Sequence, residues 1–155
     1  MQAADHYFRA AEIVPQSAVD QRAKYKRNAA SALYSQAITF NDQQSARRAV
    51  ETIEQGVLPL LPRSSSAKAW ADAQRSLGTY LFYLGTRDVP GALERSLVAT
   101  TAALSVYDQQ QDRREWVFAQ IDLGNGWMAL GNRGMPGAFE RATTAFSRAL
   151  AAATP

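Results

Sequence analysis

The 155-residue sequence contains no cysteine, which excludes disulfides, thiolate metal sites and a cysteine nucleophile. Its single histidine, His6, lies near Asp5 with no second ligand-type residue three or four positions on, so no metal site is expected. Long apolar runs are also missing. Nothing approaches the roughly 18 to 20 uncharged residues needed to span a bilayer, and the opening MQAADHYFRA lacks the apolar core of a secretory signal. The expectation is a soluble cytoplasmic chain without a membrane partner. An excess of one charge is absent too: 17 basic and 14 acidic residues are interspersed, and a net charge of +3 is too mild to imply nucleic acid. What the chain does have is 46% apolar residues, enough for a continuous core in one compact domain.

The most informative feature is an internal repeat. The segment from Trp70 to Asp108 recurs from Trp116 at a constant offset of 46 residues without a gap. Trp70/Trp116, Leu77/Leu123, Gly78/Gly124, Gly85/Gly131, Arg87/Arg133, Pro90/Pro136, Gly91/Gly137, Glu94/Glu140 and Ala103/Ala149 are among the matched pairs. Within each unit, Trp70, Ala73, Leu77, Leu81 and Leu84, and likewise Trp116, Ala119, Leu123, Trp127 and Leu130, recur at spacings of three and four, one face of a helix. Gly85 and Gly131 stand where a helix end favours a left-handed residue, and Pro90 and Pro136 where a following helix tolerates a missing donor. Each unit therefore reads as a helical hairpin, with second helices over about 90–107 and 136–153.

Upstream, Ser17 is a candidate cap for a helix reaching about Thr39, Asn41 or Asp42 for one reaching about Leu58, and Ser65 precedes the Trp70 helix. The segment before Pro15 reads as one further helix. The prediction is an all-α chain of about seven antiparallel helices in a single domain, divided as a partial repeat over 1–15, a degenerate hairpin over 17–61 and repeats over 65–108 and 112–155.

At these residues the sequence resembles tetratricopeptide repeats, whose pattern includes a Trp, a Leu-Gly pair, and then Ala, an aromatic and Ala before a Pro. Leu77-Gly78 and Leu123-Gly124 are similar to the Leu-Gly pair. Ala142, Phe146 and Ala149 are similar to the second-helix triplet, which becomes Ser96, Thr100 and Ala103 in the earlier unit. Ala3, Tyr7, Ala10 and Pro15 fit the second-helix spacing as well. The period of 46 rather than 34 makes the chain resemble the long-repeat variety found in large bacterial proteins. The resemblance implies a right-handed α-α superhelix whose first helices line a concave, peptide- or protein-binding surface, with no cofactor and no catalysis.

Carrying over the family's contact offsets around the Leu-Gly pair gives candidate partner-binding residues. They are Asp72, Arg75, Thr79, Phe82 and Tyr83 in one unit, and Phe118, Ile121, Asn125, Met128 and Ala129 in the next. The less regular hairpin contributes Asn28, Ser31, Ser35, Ile38 and Thr39. Of these, Arg75 and Asn125 are suited to orient a carboxylate or backbone, whereas Phe82, Tyr83 and Met128 equally suit packing.

Rival signals are weaker. Gly124-Asn125-Gly126-Trp127-Met128-Ala129 satisfies a dinucleotide fingerprint in spelling but continues a helical stripe where a strand is required. Arg22, Lys24, Tyr25, Lys26 and Arg27, with Arg47 and Arg48, form a basic patch suited to phosphates or an anionic surface, which keeps a nucleic-acid-binding repeat as an alternative. A non-catalytic sensor part of a multidomain enzyme is a further one. Asp72, Glu94, Asp122 and Glu140 look isolated or in step with arginines, as helix-surface pairs do. The last helix carries Ala138, Ala142, Ala145, Ala149 and Ala152, an expected contact for further repeats or a homodimer. Because Ser31, Ser35, Thr79 and Ile121 occupy the places where a carboxylate clamp needs cations and amides, a titration with the acidic C-terminal tail of a heat-shock chaperone is expected to show no binding. Appreciable affinity overturns this expectation.

Overall fold

A computed structural model describes residues 3–153. They form seven α-helices: α1 (Ala3–Ile13), α2 (Val19–Phe40), α3 (Gln43–Glu51), α4 (Ala67–Gly85), α5 (Ala92–Leu104), α6 (Arg113–Asn132) and α7 (Ala138–Ala153). No strand occurs among the described residues, so the chain is all-α. Among the described residues no helix is long and apolar enough to cross a membrane.

Neighbours in sequence are neighbours in space. Helix α1 lies on α2, α2 on α3, α4 on α5 and α6 on α7, while α3 meets α4 and α5 meets α6. The first helices of successive hairpins also touch, α2 with α4 and α4 with α6. One apolar cluster joins α2, α3 and α4 through Leu33, Ala46, Ile53, Leu77 and Leu81. A second holds Ala71, Ala103, Tyr107 and Ala119, bordered by both Trp70 and Trp116, and a third holds Leu93, Leu97, Leu130 and Ala138.

The repeat is a repeat of contacts. A Cβ on Gly78 would lie 2.4 Å from Thr100 Oγ1, and a Cβ on Gly124 would lie 2.5 Å from the Phe146 ring. Two turns farther along the same helices, a Cβ on Gly85 would come within 2.6 Å of Leu93 Cγ, and one on Gly131 within 2.8 Å of Phe139. In both hairpins, then, two glycines let the second helix approach the first, and the facing side chains stand 46 positions apart.

Several local expectations are corrected. Gly85 and Gly131 are buried helical residues conserving space, and the left-handed backbone comes three residues later, at Asp88 (φ 60°) and Gly134 (φ 85°), then again at Gly91 and Gly137. Pro90 and Pro136 lie in the turn before α5 and α7 instead of opening those helices. Ser17 caps nothing: α2 starts at Val19 out of a turn in which Ala18 N–H donates to the Pro15 carbonyl. Ser66 rather than Ser65 precedes α4, also without a side-chain cap. Asp42 does cap α3, accepting from Gln44 N–H at 2.9 Å and from the Ser45 hydroxyl at 2.6 Å. Beyond Glu51 the predicted helix continues as a π-helical segment, Thr52–Val57, and a 3-10 turn, Leu58–Leu60, in which Pro59 has no N–H to extend the ladder.

The alanine stripe of α7 is not an outer surface. Ala138, Ala142, Ala145, Ala149 and Ala152 are all buried, and α6 is the element on which α7 packs. Small side chains were needed there because α6 approaches closely. Glu140, Arg141, Thr143, Thr144, Ser147 and Arg148 face outward, with Leu150 among them at 68% exposure.

The glycine contacts predict a measurable asymmetry. At Gly85 an added methyl would meet Leu93 backbone nitrogen at 2.9 Å as well as its side chain, so neither helix can yield locally. Gly85→Ala is expected to lower unfolding free energy by about 1–3 kcal/mol in urea melts, although alanine is the better helix former.

Candidate partner-binding face

The first helices α2, α4 and α6 carry the predicted residues at matching positions. On α6, Phe118, Ile121, Asn125 and Met128 follow one another at spacings of three, four and three, which keeps them on one face. Phe118 is 45% and Met128 43% exposed, while Ile121 and Asn125 are half-buried between them. The Arg114 guanidinium lies 5.7 Å from the Phe118 ring. Ala129, the neighbour of Met128, is half-buried and packs beside the cluster of Leu93, Leu97 and Leu130.

The equivalent face of α4 has a different fate. Asp72 is held by Arg27 of α2 at 3.6 Å and by Lys68 at 3.1 Å, and it accepts from the Tyr107 hydroxyl at 2.8 Å. Lys68 reaches on to Asp112 at 3.5 Å and Glu115 at 3.7 Å. Arg75 pairs with Asp122 of α6 at 3.5 Å, and the Thr79 hydroxyl bonds back to the Arg75 carbonyl. Phe82 packs beside Leu93, Leu97 and Leu130. Arg75 is thus committed to an ion pair inside the chain rather than free to orient a guest.

Tyr83 leaves the candidate set. It is only 6% exposed, its hydroxyl donates to the Ala37 carbonyl at 2.7 Å, and it meets Tyr34 edge-on, with Arg87 stacked 3.5 Å above its ring. The reason is register: one position beyond Phe82, the side chain turns back toward α2. On α2 itself Ser31, Ser35, Ile38 and Thr39 are exposed, with Ile38 at 54%, and Asn28 is half-buried. The Ser35 and Thr39 hydroxyls are spent on carbonyls one turn earlier.

The polar network joining α2, α4 and α6 escaped the sequence reading. Arg27, Lys68, Tyr107, Asp112 and Glu115 lie on four segments and share no spacing that periodicity could detect. Asp122, which looks isolated in sequence, is paired only through the fold. Burial pushes the Asp122 carboxyl above its usual value, against the opposing pull of Arg75. Tyr107 is raised by burial first, then by its bond to Asp72 and that carboxylate's charge. For Lys68, burial alone would lower the ammonium, but Asp72, Glu115 and Asp112 together hold it above the usual lysine value.

The rival motifs resolve by placement. Gly124 and Gly126 lie in mid-α6, pressed against Phe146 and Leu97, with no strand before them to present a pyrophosphate site. The basic run is divided by helix geometry. Lys24 and Arg27 border a cleft with Lys68, whereas Arg22 and Lys26 turn to another cleft with Arg48. Arg95 pairs with Glu54 across helices at 2.6 Å, not with its sequence neighbour Glu94.

A carboxyl whose value is raised on folding is stabilising while protonated, and that contribution is lost as pH rises through the raised value. The unfolding free energy of Asp122→Asn, measured against the parent, should therefore shift in the variant's favour as pH rises from about 3 to about 7. A pH-independent difference is the contrary outcome.

No protein-family model matches the chain, and no curated protein or solved structure matches it either.

Proposed function

We propose that the chain is a protein-binding module of the tetratricopeptide kind, a single domain in which the hairpins stack as a right-handed superhelix. Support for this reading comes from the 46-residue recurrence of the glycine contacts and from the pairing of first helices, α2 with α4 and α4 with α6. The binding face runs along α6 through Phe118, Ile121, Asn125 and Met128, with Asp72, Arg75 and Thr79 of α4, already bonded within the chain, forming its polar flank.

One observation carries the assignment. Phe82 and Met128 occupy the same repeat position, yet Phe82 is packed among Leu93, Leu97 and Leu130 while Met128 stands 43% exposed. A position built to be covered is left open, and Phe118 is open three turns away on the same helix. Apolar groups so placed gain free energy when a complementary surface excludes water. Ten residues of α6 span about 15 Å, so the surface that fits is an amphipathic helical segment of another protein, with two apolar anchors about three turns apart.

Peptide display against the chain tests this. Selected sequences are expected to carry apolar anchors at helical spacing. Phe118→Glu and Met128→Glu should each weaken their binding at least about tenfold, equivalent to about 1.4 kcal/mol, while exposed-site substitutions leave stability within about 0.5 kcal/mol. Binders that tolerate both substitutions overturn the reading.

A further inference from the structure

The cleft between α1, α2 and the π-helical end of α3 has a volume of about 380 Å³ and is absorbed neither by the packing of the core nor by the partner-binding face. Three cations line it. Arg22 and Lys26 come from successive turns of α2, and Arg48 enters from α3. Among the described residues none of the three takes part in an ion pair, although Lys68, Arg75, Arg95 and Arg133 all do. The Arg22 Nε is buried without a hydrogen-bond acceptor.

This arrangement is costly as it stands. Like charges brought together repel, and a buried guanidinium nitrogen has lost water without gaining an acceptor. Glu12 and Glu51 also border the cleft, but both are exposed and neither lies within ion-pair distance of the three cations. The floor is formed by the widened backbone of Thr52–Val57, where Lys26 lies along Gly56 in ordinary van der Waals contact. Phe8 and Ala11 of α1 supply an apolar wall.

We infer that this cleft is a binding site for a small phosphorylated ligand, its phosphate held by Arg22, Lys26 and Arg48 and its apolar part against Phe8. Phosphate suits the cation set better than a single carboxylate does, because three donors from two helices can each take a separate oxygen. The apolar wall that α1 puts on one side of the cations, and the cleft's volume of about 380 Å³, favour a compact ligand with an apolar part over an extended polyanion. The inference is independent of the partner-binding face, which lies on α6.

Titration with phenyl phosphate, followed by amide shifts in NMR, tests it, with inorganic phosphate and phenol as separate arms. Phenyl phosphate is expected to bind more tightly than inorganic phosphate and at least about tenfold more tightly than phenol, with shifts centred on Arg22, Arg48 and Gly56. Arg48→Gln, an exposed position that leaves the core untouched, should weaken binding at least about tenfold. Arg22→Gln should do the same, and Arg47→Gln, which removes an equal charge from the neighbouring position, should not. No saturable shift overturns the proposal. So does equal weakening by Arg47→Gln, which would reduce the effect to net charge, or wild-type affinity in Arg48→Gln.

Discussion

The closeness of the two helices in each hairpin is the constraint from which the rest of the molecule follows. At Gly78 and Gly85, and again at Gly124 and Gly131, no side chain could be accommodated without displacing Thr100, Leu93, Phe146 or Phe139. That intimacy dictates the alanine-rich facing surfaces, Ala92, Ala99 and Ala103 on α5 and Ala138, Ala142, Ala145 and Ala149 on α7, all buried. Within the hairpins the large side chains Leu93, Phe139 and Phe146 fit only where a glycine faces them, and further large groups gather between hairpins, where Phe82, Leu97, Leu123 and Trp127 meet.

Between hairpins, polar contacts fix the relation that apolar packing leaves loose. Arg87 donates to Asn41 Oδ1 at 3.0 Å, and Arg133, 46 residues on, donates to Asp88 Oδ1 at 2.8 Å and to the Gly85 carbonyl at 2.6 Å. In both cases an arginine after a first helix reaches the left-handed residue at the preceding hairpin's turn. At the opposite end of the first helices, Asp72 and Lys68 gather partners from α2, α5's end and α6. These half-exposed pairs contribute little energy individually, but directional bonds at both ends of α4 limit how one hairpin can slide on the next.

The same packing logic separates structural from available residues. A side chain on the forward face of a first helix is covered when another hairpin lies against it, as Phe82 and Arg75 are. Its counterpart on α6 has no such cover among the described residues, so Met128 and Phe118 are exposed. Exposure on this molecule is therefore set by position along the stack and not by residue type, and the phosphate cleft obeys the same rule. Arg22 and Lys26 differ from Lys24 and Arg27 only in which side of α2 they occupy, yet the first pair faces α1 and α3 and the second faces α4.

Helix number, helix order and the hairpin repeat were legible in the chain because periodicity of three and four, and an offset of 46, are properties of sequence alone. Glycine's purpose was half legible: its recurrence showed that side chains were excluded, but only the facing Leu93 and Phe139 showed that space, and not a left-handed turn, was the reason. The burial of Tyr83 and of the α7 alanines, and the pairing of Arg75 with Asp122, escaped the sequence for a common cause. A helical wheel gives the angle at which a side chain leaves its own axis, whereas burial depends on which neighbour occupies that direction. The sequence by itself determined the local helices and the register within each repeat. Tertiary structure alone decided which cations found carboxylates and which converged on the cleft between α1, α2 and α3, because those relations join side chains on different helices and depend on how the helices pack.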